Sequence, residues 1–456
     1  MPTPPPRAAA QALALTHTRD QILALALTVA LTVALTLVLP PQAALAAPLT
    51  FDTALALAEQ RSAAAQAARA GLASAREMAG AAGQFADPVL RLGIENLPIA
   101  GADRYSTARD PQTMKRVGIS QEWLSGDKRA ARRAAADRTV AREALQVRIA
   151  TADARLQAAL AYADAWYAAE ALQFTLQNQS NVHEELAASR ARLAGGAGGV
   201  GGVGGSTEVL ALDAARGLVE DEAAELRQQQ RAAGLALQRW VGLAADTTPN
   251  SAADTAPQLS APPVLPVPSE TAYVQGHPAV RALQGDADVA RQAAVVAASE
   301  RTPNWVWEAS VGQRTGYPDM VSVGVSMPLP VAREQRQDRA TAAKQAQADK
   351  LDADRAEALR AATAEYLTLR SDGASLQARL ESVRLGVLAP AQQRIAAALA
   401  SYRANQAPLA TVFEARRAEI EAQRKLLGLQ RELTRNRIQL ALKPVDAPDV
   451  LIGVAP

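Results

Sequence analysis

The sequence predicts a mainly α-helical chain with a small β part, built as a duplicated unit of helix, β-hairpin, long helix and returning helix. Three observations carry this: a composition of small aliphatic residues, one order of segments met twice, and four short runs where apolar residues alternate with small or polar ones. Of 456 residues, 49% are hydrophobic but only 4% aromatic, and Ala, Leu and Val dominate the apolar share. Such residues favour closely approaching helices over the thick, aromatic-filled interior of a large globular core. With 48 basic and 46 acidic residues the formal net charge is +2, so no general attraction to nucleic acid is implied. The absence of cysteine excludes disulfides, thiolate metal sites, a cysteine nucleophile and a lipid carried on an N-terminal cysteine.

Residues 1–46 carry Arg7 and Arg19, the uncharged apolar run Ile22–Leu39, then Pro40-Pro41 and Ala44-Leu45-Ala46. This is the pattern of a signal peptide cleaved after about Ala46; because the run nearly reaches a bilayer span, an uncleaved anchor is the alternative. No other segment combines that length with an absence of charge, so a deeper membrane role has to be built from strands.

The first repeat, 47–242, opens with an Ala-rich helix over Thr50–Gly83 that stops at Asp87-Pro88. Strands follow over about 88–99 and 115–124, then a long helix over Asp127–Ala194, a tip over about 194–207 and a returning helix. Residues 243–268, rich in Ala, Pro, Ser and Thr, read as a linker passing over the surface. The second repeat, 269–442, follows the same order: a helix over Ser269–Arg301, Thr302-Pro303, strands over about 304–313 and 320–329, and a long helix over Arg333–Ala404. A tip over about 404–409 and a returning helix complete it, with 443–456 as a tail. Pro390 is expected to bend or break the second long helix. After the tips stand the matching segments Leu212-Asp213-Ala214-Ala215-Arg216 and Phe413-Glu414-Ala415-Arg416-Arg417.

Each strand carries one apolar face. Leu90, Leu92 and Ile94 alternate with Arg91, Gly93 and Glu95, and Val117, Ile119 and Trp123 with Gly118, Ser120 and Glu122. Trp305, Trp307, Ala309 and Val311 oppose Glu308, Ser310 and Gly312, while Val321, Val323, Val325, Met327 and Leu329 oppose Ser322, Gly324 and Ser326. Four strands cannot close a barrel alone, since about eight are needed for the narrowest form. If the apolar faces meet lipid, unpaired edges cost several kcal/mol per group, so closure requires strands from other copies of the chain. Trp123, Trp305 and Trp307 suit a membrane-interface girdle, and the Gly- and Ser-rich face suits a water-filled lumen. The competing reading is a soluble four-stranded sheet covered by helices. At 1.5 Å per residue the long helices extend on the order of 100 Å, which fits a helical tube continuing from a barrel, or a coiled-coil rod.

Signals for chemistry fail on context. Gly199, Gly201 and Gly204 match the spacing of a dinucleotide fingerprint, but the run follows a helix instead of a strand, and Gly205 stands where a phosphate loop needs Lys. His183 and His277 are isolated, His17 lies in the signal segment, and the methionines form no cluster. Arg129, Arg132, Arg133 and Arg138 read as a solvated helix face, with a lipid-phosphate site as the alternative. No nucleophile elbow or paired-carboxylate motif is present. The sequence therefore predicts no catalytic residue, no cofactor and no metal site.

The repeated order, together with Gly276-His277-Pro278-Ala279-Val280 ahead of an Ala-rich helix and Thr302-Pro303, resembles the TolC-type outer membrane efflux proteins over nearly all of the chain that follows the signal. The tip segments Ser206-Thr207-Glu208-Val209-Leu210 and Tyr402-Arg403-Ala404-Asn405 carry the same resemblance. Asp87-Pro88-Val89-Leu90, Gly93-Ile94-Glu95-Asn96-Leu97-Pro98 and Arg116-Val117-Gly118-Ile119-Ser120-Gln121-Glu122 look like its heavy-metal, CzcC-like branch. The resemblance implies a homotrimer with a 12-stranded outer membrane barrel and a periplasmic α-barrel tunnel of helical hairpins. It also implies a periplasmic adaptor and an inner-membrane resistance-nodulation-division pump as partners, with surrounding outer membrane lipid and no nucleic acid. Adaptor contacts then fall on Arg192, Leu193, Gly205, Ser206 and Thr207 at one tip, and on Tyr402, Arg403, Pro408 and Leu409 at the other. Asp213 and Glu414 hold the acidic position of the periplasmic entrance, whereas Leu210 and Thr411, three residues earlier, leave no second acidic ring. The Gly-rich run from Gly195 to Gly205 is longer than the family's short turn. A duct for type I protein secretion shares this architecture, and a periplasmic adaptor anchored through Ile22–Leu39 is a further alternative.

Overall fold

The computed structural model describes residues 49–195, 203–242, 258–404, 406–407 and 409–445. The chain divides at Leu49/Thr50, and the architecture below is that of the unit from Thr50 onward. The expected signal peptide, most of the Gly-rich run, the first part of the linker, Pro408 and most of the tail lie outside the described residues.

The elements run α1 (Phe51–Arg61), α2 (Ala63–Ala81), β1 (Val89–Glu95), β2 (Met114–Trp123), α3 (Gly126–Ala194) and α4 (Val203–Val241). After the linker come α5 (Glu270–Gly276), α6 (Pro278–Ser299), β3 (Trp305–Arg314), β4 (Met320–Ser326), α7 (Gln337–Val383), α8 (Ala389–Arg403) and α9 (Leu409–Leu442). A π turn, Arg384–Leu388, joins α7 to α8 directly before Pro390, where the ring removes a ladder hydrogen bond.

Each expected opening helix is two helices. Ser62 breaks the first: its backbone leaves the helical region (φ −58°, ψ 113°) and its hydroxyl accepts from the Ala65 N–H, capping α2. His277 breaks the second at the equivalent place because a residue before proline is driven out of the helical region. β1 stops at Glu95, short of Ile99, where Asn96 takes φ 55°. β4 stops at Ser326, before Pro328 and Pro330, which cannot donate to a ladder.

The core is a string of small contacts along the long helices. In the first half the Phe51 ring meets Tyr162 of α3 edge-on at 5.4 Å, with Ala54, Leu55 and Ala58 buried beside it. In the second half Tyr273 meets Tyr366 of α7 at 5.4 Å within a cluster of Val274, Val280, Ala362 and Leu440. Both long-helix tyrosines also hold the linker: Tyr162 donates to the Ser260 carbonyl at 2.9 Å and Tyr366 to the Pro268 carbonyl at 3.1 Å. Leu265 is buried between these anchor points, so this stretch is packed against the helices and does not simply pass over them.

Below that cluster His277 faces Glu365, Nε2 to Oε2 3.4 Å, while its Nδ1 accepts from the Ala279 N–H. Lys443 also pairs with Glu365, and the Val445 N–H donates to the Gly276 carbonyl at 2.8 Å, fastening the end of α9 to the helix break. Burial first, then the Lys443 ammonium, lowers the His277 pKa against the opposing pull of Glu365. An imidazole held neutral in the fold binds fewer protons than in the unfolded chain, so its contribution is complete above the ordinary His value and declines as pH falls below it. Thermal unfolding followed across that range should show this loss, and His277→Gln should flatten it.

Candidate functional site

The four strands form one antiparallel sheet in the order β1-β2-β3-β4, so β1 and β4 each have one unpaired edge among the described residues. Leu90 pairs with Ile119, Leu92 with Val117, Val117 with Val311, Ile119 with Ala309, Trp123 with Trp305, and Val311 with Val321. The pleat puts these residues with Trp307, Val323 and Val325 on one face, and nearly all of them are exposed large hydrophobics. On the other face Gly118, Ser120, Ser310 and Gly312 are buried. The sheet is therefore turned inside out relative to a water-soluble one: no helix of the described residues covers its apolar side.

The opposite face carries a charge lattice. Arg116 pairs with Glu95 at 2.8 Å and with Glu308 at 3.4 Å, and its Nε donates to Ser310 Oγ at 2.7 Å; Arg91 reaches Glu308 at 3.8 Å. Gly118 lies opposite Ser310, and a Cβ there would stand 2.8 Å from the Ser310 Cβ, so the glycine lets this face close up.

Where sheet meets helices, a second network is buried. Lys128, in the first turn of α3, has a side chain only 2% exposed and donates to Glu300 at 2.8 Å and Asn304 at 2.7 Å. Asn304 donates in turn to Glu122 at 2.7 Å, and Arg132 donates to Glu300 at 3.0 Å. The set joins α3, β2 and the segment between α6 and β3.

At the far end of the helices, Arg192 and Leu193 lie in the last turn of α3, with Leu193 exposed. Gly205, Ser206 and Thr207 fall within the first turns of α4, because that helix already starts at Val203 and does not wait for the end of the Gly run. Tyr402 and Arg403 end α8, Leu409 opens α9, and Pro408 lies outside the described residues. The two acidic positions differ: Asp213 is held by Arg190 at 2.9 Å and Arg216 at 3.5 Å, whereas Glu414 is exposed with no ion-pair partner among the described residues. Their chain neighbours Leu212 and Phe413 help line a groove of about 280 Å3 between α3, α4 and α9.

No protein-family model matches the chain, and no curated protein matches it in sequence. Solved structures do match its fold. CusC, whose crystal structures follow folding and transmembrane channel formation, aligns with TM-score 0.69 over 86% of this chain and 90% of its own at 14% identity. The outer membrane protein VceC of Vibrio cholerae aligns with TM-score 0.66 over 86% and 96% at 20% identity. The outer membrane channel MtrE of Neisseria gonorrhoeae, in its open state, aligns with TM-score 0.62 over 87% and 88% at 14% identity. The chain has the TolC-like outer membrane channel fold. Among the described residues no helix is long and apolar enough to cross a membrane, and no cluster of His, Asp and Glu is placed to hold a metal.

The long helices are held side by side by ion pairs that sequence reading missed. Arg416 of α9 pairs with Glu185 of α3, Arg424 of α9 with Glu222 of α4 at 2.8 Å, and Arg431 and Arg435 of α9 with Asp164 of α3. Their spacing along one helix was legible, but the partners lie on other helices and are fixed only by packing. Burial raises the Glu185 pKa, and the Arg416 guanidinium offsets only part of that rise. Removing the cation should therefore hurt more than removing the anion. Arg416→Ala leaves a half-buried carboxylate alone and should lower stability by about 1–3 kcal/mol. Glu185→Gln leaves a partly exposed guanidinium and should stay within about 1 kcal/mol. Thermal unfolding of both variants beside the parent protein checks the order.

Proposed function

We propose that three copies of this chain form a passive outer membrane exit duct for efflux: a barrel of four strands per copy in the membrane and a helical tunnel in the periplasm. The observation that carries the proposal is the inside-out sheet, with its apolar side bare and an unpaired edge at β1 and at β4. Water would oppose that surface at roughly 25 cal/mol per Å2, and lipid would oppose the open edges at several kcal/mol per unsatisfied group. Edge-to-edge closure in a bilayer relieves both. The channel fold shared with outer membrane proteins supports the same reading.

On this reading the inner-membrane pump of the resistance-nodulation-division type supplies the energy, and a periplasmic adaptor meets the tips at Arg192, Leu193, Gly205–Thr207, Tyr402, Arg403, Pro408 and Leu409. Asp213 and Glu414 line the entrance, Trp123, Trp305 and Trp307 form the girdle, and residues 1–46 direct export. The CzcC-like motifs of both first-repeat strands favour heavy-metal cations as cargo over a secreted protein. The duct carries out no chemistry.

Because the chain has no cysteine, introduced pairs report without background. One cysteine at Gly93 on β1 combined with one at Met320, Ser322 or Gly324, on the same face of β4, should in at least one register give a covalent trimer on a non-reducing gel of outer membranes. Monomers in every register would refute closure between copies.

A further inference from the structure

Where the sheet meets the helices its apolar face is indented. Trp123, Trp305 and Trp307 with Ser125, Thr302 and Pro303 line a groove of about 420 Å3. It lies on β2 and β3, the two central strands, away from the edges at β1 and β4. Phe85 packs on Trp123 with ring centroids 4.7 Å apart, and the Arg129 guanidinium sits over the Phe85 ring at 4.3 Å. Arg133, one turn further along α3, is exposed. Gly83, at φ +80°, fits closely beside both, since a Cβ there would stand 2.7 Å from the Arg129 carbonyl oxygen and 3.6 Å from the Arg133 Cβ.

These two cations differ from their neighbours. Lys128 and Arg132 share the Glu300 carboxylate. Arg129 and Arg133 have no carboxylate within ion-pair distance among the described residues, and the Arg129 Nε is buried without a hydrogen-bond partner. An apolar slot of aromatic rings thus stands two ring contacts from a pair of unneutralised guanidiniums. That combination fits an amphiphile with an acyl chain and an anionic head, and guanidinium is the side chain best shaped to grip a phosphate through two parallel hydrogen bonds.

We propose that the Trp123–Trp305–Trp307 groove and Arg129 with Arg133 form a binding site for an anionic phospholipid, its acyl chain in the groove and its phosphate on the two arginines. The site rests on the reading of the sheet as an outer membrane barrel. The groove lies at the end of the sheet joined to the long helices, which on that reading is the periplasmic side, so the ligand comes from the phospholipid leaflet. Phe85 bridges the Trp123 ring of the groove and the Arg129 guanidinium, and the bound lipid ties the base of the barrel to the start of α3.

The test uses the full protein in phosphatidylcholine vesicles containing a minor fraction of bromine-labelled lipid, with tryptophan fluorescence as the readout. Trp166 and Trp240, on the long helices, supply the unquenched baseline. Brominated phosphatidylglycerol should quench about fivefold more effectively than brominated phosphatidylcholine at low salt, and the preference should fade as salt screens the head group. The double variant Arg129→Gln/Arg133→Gln should quench equally with both lipids, while Arg138→Gln should behave as the parent. Equal quenching by both lipids in the parent protein would overturn the site yet leave the barrel standing; no quenching by either would overturn the barrel reading itself. Selectivity that survives the double variant would also overturn the site. So would displacement of the brominated phosphatidylglycerol by lipopolysaccharide at lower concentration than by unlabelled phosphatidylglycerol.

Discussion

Val323→Arg is expected to abolish recovery of assembled channel from the outer membrane. Val323 is 71% exposed in the middle of β4, paired with Ala309 on the apolar face. On a water-facing sheet an exposed Val→Arg change is close to neutral, because the new guanidinium is fully hydrated. Facing lipid near the middle of the bilayer, the same change costs about 2–4 kcal/mol in each chain, and a threefold assembly bears it three times. Val331→Arg is the control: Val331 is at least as exposed but lies beyond the end of the ladder, so a charge there should be tolerated. The measurement is the amount of protease-resistant oligomer in outer membrane fractions. Equal recovery of the two variants would place the apolar face in water and refute the barrel.

Breaking the Lys128–Glu300 network, where the sheet meets the helices, should have the second largest effect. Glu300→Gln leaves the Lys128 ammonium, almost wholly buried, with amide and carbonyl partners but no counter-charge. Loss of one member of a buried pair costs about 3–5 kcal/mol when both are enclosed; because Glu300 is partly exposed and water can reach that side, about 2–3 kcal/mol is expected. Lys128→Met combined with Glu300→Gln should recover part of the loss, since the charge needing compensation is gone. Burial by itself would raise the Glu300 pKa, but hydrogen bonds from Lys128 and Arg132 outweigh it and hold the carboxyl below its ordinary range. A carboxylate lowered in the folded state contributes stability that is complete above its unfolded value and disappears as pH falls through the lowered one. The gap between parent and Glu300→Gln should therefore close in acid, which a series of melting curves would show.

The fold was legible to the extent that it is written in local pattern. Alternation in Leu90–Glu95 and in Val321–Ser326 marked the strands and the sidedness of the sheet, and His277-Pro278 contained the steric reason for the break that divides α5 from α6. The break at Ser62 was hidden, since a serine in an Ala-rich helix is unremarkable until its hydroxyl is seen capping Ala65. The candidate site was less legible. Which carboxylate answers Arg116, or Lys128, or Arg416 depends on strand register and on helices separated by long stretches of chain, and no window of sequence holds both partners. Arg129 shows the converse: a basic run reads as solvated until Lys128 and Arg132 are found sharing Glu300 while Arg129 and Arg133 are not paired among the described residues.

The ladder between β2 and β3 runs the full length of both strands, from Met114 opposite Arg314 to Trp123 opposite Trp305. The duplicated halves are thus stitched together inside one polypeptide before any neighbour arrives. If copies close into the proposed barrel, only one kind of seam remains for them to zip, β4 of one against β1 of the next, and a slip of register there would recur identically around the ring, so the accuracy of the whole wall would depend on how faithfully that single join is made.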